Sequence, residues 1–176
     1  MIRSLLMTAA IAVQASFPAH AQTDLSSYSL TEHPASGLND IGTVNGPMYE
    51  RTDMVSWRID ANKTFRFQNF VPNHIEMLAY KDAIAGYAFR IAGYREQEAI
   101  KAFLLQTYPQ LKVVDDLPYG RFYAYAGDDI YVDFRTMTEQ SFQEGRFGYL
   151  NVQRGDLHRE IDAMEAKYQR RDGAVK

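Results

Sequence analysis

Histidine is the residue type in this sequence with the widest range of chemistry, because imidazole binds metals and transfers protons near neutral pH. His74 and Glu76 are two positions apart, so on a β-strand their side chains would lie on one face and could share a metal ion. No third ligand occurs at a spacing that is typical of metal sites, and His33 and His158 are far from this pair along the chain. The pattern therefore favours surface histidines, and we expect neither a metal site nor a cofactor.

Acidic residues between Asp128 and Glu139 have the carboxylates that calcium prefers, and these two residues would stand first and last in an EF-hand loop. The third and fifth positions would then be Ile130 and Val132, and Asp133 would replace the loop glycine. The loop therefore fails as a calcium site. We expect a hairpin turn in which aspartate bonds to the backbone.

Motifs of the common catalytic chemistries are absent from the sequence: it has no G-x-S-x-G elbow, phosphate loop, dinucleotide fingerprint or H-E-x-x-H helix. Ser56 or Ser141 with a histidine would formally permit a triad, and Glu139 with Glu144 a glycosidase pair. Almost any chain of this length contains such sets. Catalysis would have to come from residues that only the fold assembles.

Tyrosine and arginine side chains are concentrated between residues 121 and 135. These residue types anchor recognition surfaces, because they combine a large contact area with hydrogen-bonding groups. If the two strands of this region share one face, they form a binding surface. The candidate binding residues are Arg121, Tyr123, Tyr125, Tyr131 and Arg135.

The register of this hairpin decides which side chains share a face, since a slip of one residue exchanges the faces. A three-residue loop over 127–129 pairs Phe122 with Phe134 and leaves the tyrosines together on the opposite, polar face. A two-residue loop instead places Tyr123 and Tyr125 beside the apolar side chains. We prefer the three-residue loop, because it separates polar from apolar residues more cleanly. In either register, a second layer of structure would turn the covered tyrosines into core residues.

Hydrophobic periodicity predicts the elements that position these residues. The first helix places Ile100, Phe103 and Leu104 on one stripe, and we expect that stripe to pack on the apolar face of the hairpin. Hairpins without crossover helices predict an α+β fold, with a mostly antiparallel sheet and helices on one side. The predicted strands cover about 54–60, 64–70, 75–81, 83–91, 121–126, 130–135 and 147–152, and the predicted helices about 95–108 and 156–170.

Composition limits the class of protein. The chain has 176 residues, of which 46% are hydrophobic and 23% charged, as in a domain with a packed core. Its net charge of -3 provides no basic surface for nucleic acid. The absence of cysteine excludes disulfides, thiolate metal sites and cysteine nucleophiles.

The first 21 residues have the parts of an export signal in the expected order. Arg3 precedes an apolar run over 5–13, and Ala19-His20-Ala21 is a small-x-small cleavage site. We therefore expect a periplasmic or secreted protein, cleaved after Ala21 and without a membrane span. The expected organisation is a signal peptide over 1–21, a flexible segment over 22–47, a single domain over 48–171 and a frayed terminus over 172–176.

Two functions of different classes remain open at this point. The first is a non-catalytic module that binds a protein, a peptide or an envelope component through the aromatic sheet face. The second is a small exported hydrolase without a recognisable motif. An unpaired edge strand could also join two copies of the chain.

Overall fold

The computed structural model of the chain describes residues 22–30, 33–59 and 65–173, with side chains as far as residue 169. The predicted signal peptide over 1–21 and residues 174–176 lie outside the described residues. Within the described part, the strands are β1 Thr23–Asp24, β2 Gly42–Met48, β3 Arg51–Ile59, β4 Phe65–Arg66, β5 Ile75–Tyr80, β6 Ala83–Ile91, β7 Lys112–Leu117, β8 Gly120–Ala126, β9 Ile130–Arg135 and β10 Gly148–Arg154. The helices are α1 Tyr94–Thr107, α2 Glu139–Gln143 and α3 Gly155–Gly173, and 3-10 turns cover Leu25–Ser27 and Ala35–Asp40.

Eight of these strands form one antiparallel sheet in the order β2-β3-β5-β6-β10-β9-β8-β7. Strand β10 comes last in the chain yet lies in the middle of the sheet, between β6 and β9. Strands β1 and β4 form a separate parallel pair. The predicted α+β class with a mostly antiparallel sheet is therefore confirmed.

The two long helices pack on opposite faces of the sheet. On β5, Met77 belongs to the same apolar cluster as Leu104 of α1, whereas its neighbour Leu78 belongs to the cluster of Leu157 in α3. Successive strand residues point to opposite faces, so the two clusters lie on opposite sides. The expectation that both helices lie on one side is wrong, because the central strands carry apolar side chains on both faces.

The segment over 22–47, which the sequence analysis expects to be flexible, contributes to both the core and the sheet. Leu25 and Leu38 are buried in the α1-side cluster, and strand β2 pairs with β3 in the main sheet. The buried Tyr87 hydroxyl donates a hydrogen bond to the Leu25 carbonyl at 2.8 Å. Trp57 Nε1 donates to Asn39 Oδ1 at 3.2 Å. The segment lacks periodicity because turns and loops, rather than a helix, present its few apolar residues.

The preferred register of the β8–β9 hairpin is wrong. Tyr123 is opposite Phe134 and Tyr125 is opposite Val132, while Phe122 is opposite Arg135. The last cross-strand pair is Ala126 with Tyr131, so residues 127–130 separate the paired positions, one more than in the preferred alternative. The Gly127 N–H closes this turn by donating to the Ile130 carbonyl at 2.9 Å. Tyr123 is only 8% exposed on the α1 side. Burying this ring removes far more apolar area from water than burying an alanine would, and this outweighs the cleaner separation of polarity.

Three further differences concern short elements. Strand β7 and helix α2 occupy stretches for which the sequence analysis predicts no helix or strand, and the strand predicted over 64–70 is reduced to β4. β7 is an edge strand whose residues are mostly exposed, so it has no apolar alternation to reveal it.

The close approach of Gly120 to the strand end at Thr136 gives a test of this register. A Cβ at Gly120 would overlap the Thr136 carbonyl oxygen, whereas a Cβ at Gly37 would meet no atom within 4 Å. We expect Gly120→Ala to lower the free energy of unfolding by at least about 2 kcal/mol, because backbone must shift to admit the methyl group. Gly37→Ala is the matched control and should stay within about 0.5 kcal/mol of the parent in urea titrations. Equal stabilities of the two variants would contradict the described register.

Candidate binding site

Helix α3 covers only one end of its sheet face. There the His158 ring stacks on the Tyr131 ring with 3.4 Å between centroids, and Leu157 packs with Leu78 and Tyr80. Further along the same face, side chains of β8, β9 and β10 line an open cavity of about 650 Å³. We call it the sheet pocket, and its lining residues are Tyr119, Phe122, Asp133, Arg135, Met137, Gly145, Arg146, Phe147, Tyr149 and Asn151.

A second, smaller cavity of about 260 Å³ lies beside the sheet pocket. The two cavities share Gly145, Arg146 and Phe147, so they adjoin each other on this side of the molecule. No carboxylate is among the described residues that line the smaller cavity. We call it the arginine pocket, and its lining residues are Asn73, His74, Arg90, Ala92, Phe142, Gly145, Arg146 and Phe147.

Three arginines of these pockets lie over aromatic rings. The Arg135 guanidinium is 4.9 Å from the centroid of Phe122. The Arg90 guanidinium is 4.4 Å from the Phe147 ring, and that of Arg146 is 5.0 Å from the ring of Tyr119. These distances are within the roughly 6 Å reach of cation–π attraction. Stacking holds a guanidinium in place through its face and leaves its N–H donors at the edge.

The three guanidinium groups differ in the partners of those N–H donors. Arg135 donates to Asp133 Oδ2 at 3.2 and 3.3 Å. The Nε of Arg146 is 3.7 Å from a carboxylate oxygen of Glu144, beyond hydrogen-bond distance, and both side chains are about half exposed. In the described part of the chain, Arg90 has no carboxylate within ion-pair distance. Arg90 and Arg146 therefore keep donors for a ligand.

Strand β10 places two amide side chains on this face without complete hydrogen bonding. Within the described residues, Asn151 Oδ1 and Gln153 Oε1 are buried atoms that lack a donor. Asn151 lines the sheet pocket, and Gln153, which is 6% exposed, follows it on the same face of the strand. Buried polar atoms in folded proteins almost always have a partner. Asn151 lines the pocket, so rotation of its amide would present this oxygen to an N–H or O–H group of a ligand there.

Tyr149 also lines the sheet pocket. Burial, followed by the nearby charge of Glu76, raises the pKa of Tyr149 to about 12. The phenol is therefore neutral at physiological pH. It offers the pocket an apolar ring with a hydroxyl group and adds no negative charge.

The rim of the sheet pocket is fixed from the opposite side of the sheet by Gln97 of α1. The side chain of Gln97 is nearly fully buried; its Nε2 donates to the Met137 carbonyl at 2.9 Å, and its Oε1 accepts the Met137 N–H at 2.7 Å. The next residue, Thr138, caps α2 by accepting the Ser141 N–H at 3.2 Å. These bonds define the course of the chain that leads from β9 to the pocket residues 145–147.

The structure separates the five residues that the sequence analysis predicts as one binding surface. Tyr123 is buried against Phe134, and Arg121 forms an exposed ion pair with Asp116. Tyr125 stacks on Tyr108 of the α1 side at 5.0 Å. Tyr131 lies beneath His158, as described above. Of the five, Arg135 lines the sheet pocket. Any binding role of the other four stays a prediction.

Sequence reasoning missed most of the residues that line the two pockets. The preferred register places Phe122 on the core face, opposite to its position in the structure. Tyr149 and Asn151 have no motif around them. The signal that was available is the run over 145–148, in which an arginine and a phenylalanine stand between two glycines. Gly145 has a φ of 81°, so it occupies the left-handed region that favours glycine and turns the chain into the pocket rim.

Searches for other kinds of site and for relatives gave negative results. The described residues contain no group of three or more histidine, cysteine or acidic side chains placed to hold a metal ion. No helix in the described ranges is both long and apolar enough to cross a membrane. Comparison of the chain with family models, curated proteins and solved structures found no match.

The stacking of His158 on Tyr131, at the end of the sheet face that α3 covers, can be tested by the pH dependence of stability. Burial lowers the pKa of His158 below its ordinary value of 6.5, and the neighbouring Arg159 acts in the same direction. Asp162, Glu165 and Asp133 act in the opposite direction, but Asp162, whose Oδ2 is 3.3 Å from Nε2, is largely exposed and its attraction is screened. The unfolded chain therefore binds a proton more readily than the folded protein does.

We expect this difference in proton binding to destabilise the fold as pH falls through about 6.5 toward the lowered pKa. His158→Phe keeps an aromatic ring over Tyr131 and removes the titration. Urea titrations between about pH 7.5 and pH 5 should show a steeper loss of unfolding free energy for the parent than for this variant. Parallel curves would contradict the assigned direction of the pKa shift.

Proposed function

We propose that the protein is an exported, non-catalytic module that binds a small organic molecule of the cell envelope in the sheet pocket. The observation that carries the proposal is a ring-lined cavity that is also lined by Asn151, a residue whose buried amide oxygen has no hydrogen-bond partner. Pockets for small molecules typically have volumes of about 300–1,000 Å³, are largely apolar and contain a few convergent polar groups. The sheet pocket fits this description. The signal pattern over 1–21 supports export to the periplasm or secretion.

A ligand in the sheet pocket would be recognised by rings and by polar groups at fixed positions. Phe122 and Phe147 each have one face occupied by an arginine, so their remaining surface is available for apolar contact. Asn151 requires a donor, and Tyr149 has a neutral hydroxyl group. A molecule with a ring and at least one N–H or O–H group satisfies these requirements together.

The hydrolase alternative gains no specific support from the two pockets. His74 lies in the arginine pocket beside Arg90 and Arg146, and the described lining contributes no carboxylate that could orient the imidazole. Asp133, in the sheet pocket, accepts hydrogen bonds from Arg135. An imidazole and a carboxylate are therefore not brought together as a catalytic pair there, and the alternative stays a prediction from the sequence.

Association of copies through the sheet edges is also less favoured than ligand binding. The edges are β2 and β7. β2 contains Pro47 and irregular pairing, and β7 has a register shift beside Asp115 and Asp116. Bulges, prolines and charges are the features by which natural edge strands avoid pairing with other chains.

A neutral ring compound tests the proposed site. We expect 2-naphthalenemethanol to bind the purified protein at one site, with its ring in the sheet pocket and its hydroxyl group available to Asn151. Phe122→Ala should weaken binding about tenfold, because it removes a ring contact and leaves the Arg135 side chain without its stacking partner. Isothermal titration calorimetry measures both dissociation constants.

The matched control is Tyr125→Ala, which removes an aromatic ring from the opposite face of the same strand. This variant should bind the compound within about twofold of the parent, provided that thermal denaturation shows both variants to be folded. Loss of binding in Tyr125→Ala with retention in Phe122→Ala would reject the sheet pocket and favour the tyrosine face. Absence of binding to the parent protein would reject the proposed site for ring compounds.

A further inference from the structure

We infer that the natural ligand is an oxyanion attached to a ring, with the ring in the sheet pocket and the carboxylate or phosphate group in the arginine pocket. The inference rests on the proposed function and adds the charge of the ligand and its orientation. It depends on the juxtaposition of two guanidinium groups that lie over rings, those of Arg90 and Arg146, around one small cavity that shares three lining residues with the ring-lined one.

The first step of the argument is that both guanidinium groups are held without using their N–H donors. Arg90 is exposed, lies over Phe147 and has no carboxylate partner within the described residues. Arg146 lies over Tyr119, with Glu144 too far away for a hydrogen bond. A stacked arginine is already oriented, so it loses less conformational entropy when it binds a carboxylate or a phosphate through two N–H groups.

The second step concerns the other charges around the two pockets. Asp133, the carboxylate that lines the sheet pocket, is 3.2 Å from Arg135. Glu76 is close enough to Tyr149 to raise its pKa, but it does not line either pocket. The arginine pocket therefore contributes two positive charges, with Asn73 and His74 as further polar groups. A cation would be repelled there, whereas an oxyanion would be bound by charge-assisted hydrogen bonds.

The third step is that the sheet pocket and the arginine pocket adjoin each other. Phe147 and Arg146 line both, so a single ligand can contact the rings and the guanidinium groups at the same time. The combined requirement is an oxyanion on a ring that also carries a hydrogen-bond donor for Asn151. Acidic sugars and hydroxylated aromatic acids or phosphate monoesters meet it, and they share the chemistry that the two pockets recognise.

Three probes with one ring system separate the charge from the ring: 2-naphthoate, 2-naphthyl phosphate and the neutral 2-naphthalenemethanol. We expect at least one of the two anions to bind the purified protein at least tenfold more tightly than the alcohol does. Arg90→Gln and Arg146→Gln should each reduce that preference, measured as the ratio of the two dissociation constants, to about threefold or less. Arg90→Lys keeps the positive charge but removes the planar guanidinium group. Its preference for the anion should lie between that of the parent and that of Arg90→Gln. The anion that binds more tightly shows whether the arginine pocket prefers a carboxylate or a phosphate group.

The control is Arg95→Gln, which removes an exposed arginine that lines neither pocket. It should leave the preference for the anion unchanged. Equal binding of all three probes, with Arg90→Gln without effect, would overturn the inference and leave the proposed ring-binding site intact. Tight binding of an anion that survives both glutamine variants would also overturn it, because the anion would then bind elsewhere. If none of the probes binds, or if Phe122→Ala binds them all as the parent does, the proposed function itself fails.

Discussion

The placement of strand β10 is the constraint on which the rest of the structure depends. It pairs over six residues with β6 on one side and over six with β9 on the other, and it joins two groups of strands that otherwise share no pairing. Because β10 occupies the position next to β6, the chain after β6 must cross the sheet through α1 before it forms β7, β8 and β9. Contacts between residues so far apart in sequence are formed only after their loop-closure entropy has been overcome. The two groups of strands are therefore united only when the C-terminal part of the chain is in place.

The same strand determines where the pockets lie. Leu150 and Val152 point into the α1-side core, so Tyr149 and Asn151 must point to the opposite face. Helix α3 begins directly after β10, at Gly155, whose N–H donates to the Asp129 carbonyl of the β8–β9 loop at 2.8 Å. From this starting point α3 runs back over the end of the face near Leu78 and Tyr80. The other end is not covered by α3. There alternate residues of β8, β9 and β10 face the sheet pocket, while Arg90 of β6 and Phe142 of α2 line the arginine pocket.

The parts of the fold that could be predicted from the sequence are those set by local periodicity. The stripe of Ile100 and Leu104 in α1 is buried as expected, and the two long helices and most strands are near their predicted positions. The order of the strands could not be predicted, because pairing of β10 with β6 leaves no local signal. The hairpin register was wrong because the loop length was not visible in the residues of the turn. Since a one-residue slip exchanges the faces, that single error also misplaced Phe122 and grouped Arg135 with Tyr123 and Tyr125, which lie on the opposite face.

The amide side chains of β10 are difficult to explain by stability alone. A buried amide oxygen without a donor costs about 1–3 kcal/mol, and apolar residues of similar shape at such positions are often neutral or stabilising. On the opposite face of the strand, the buried positions are occupied by the apolar residues Leu150 and Val152. Asn151 instead lines a cavity surrounded by rings and arginines, and its buried amide oxygen has no partner. Proteins commonly accept lower stability at positions that bind ligands, because a preformed polar group gains its partner only in the complex. The proposed binding site at this face would account for a residue that packing by itself would replace.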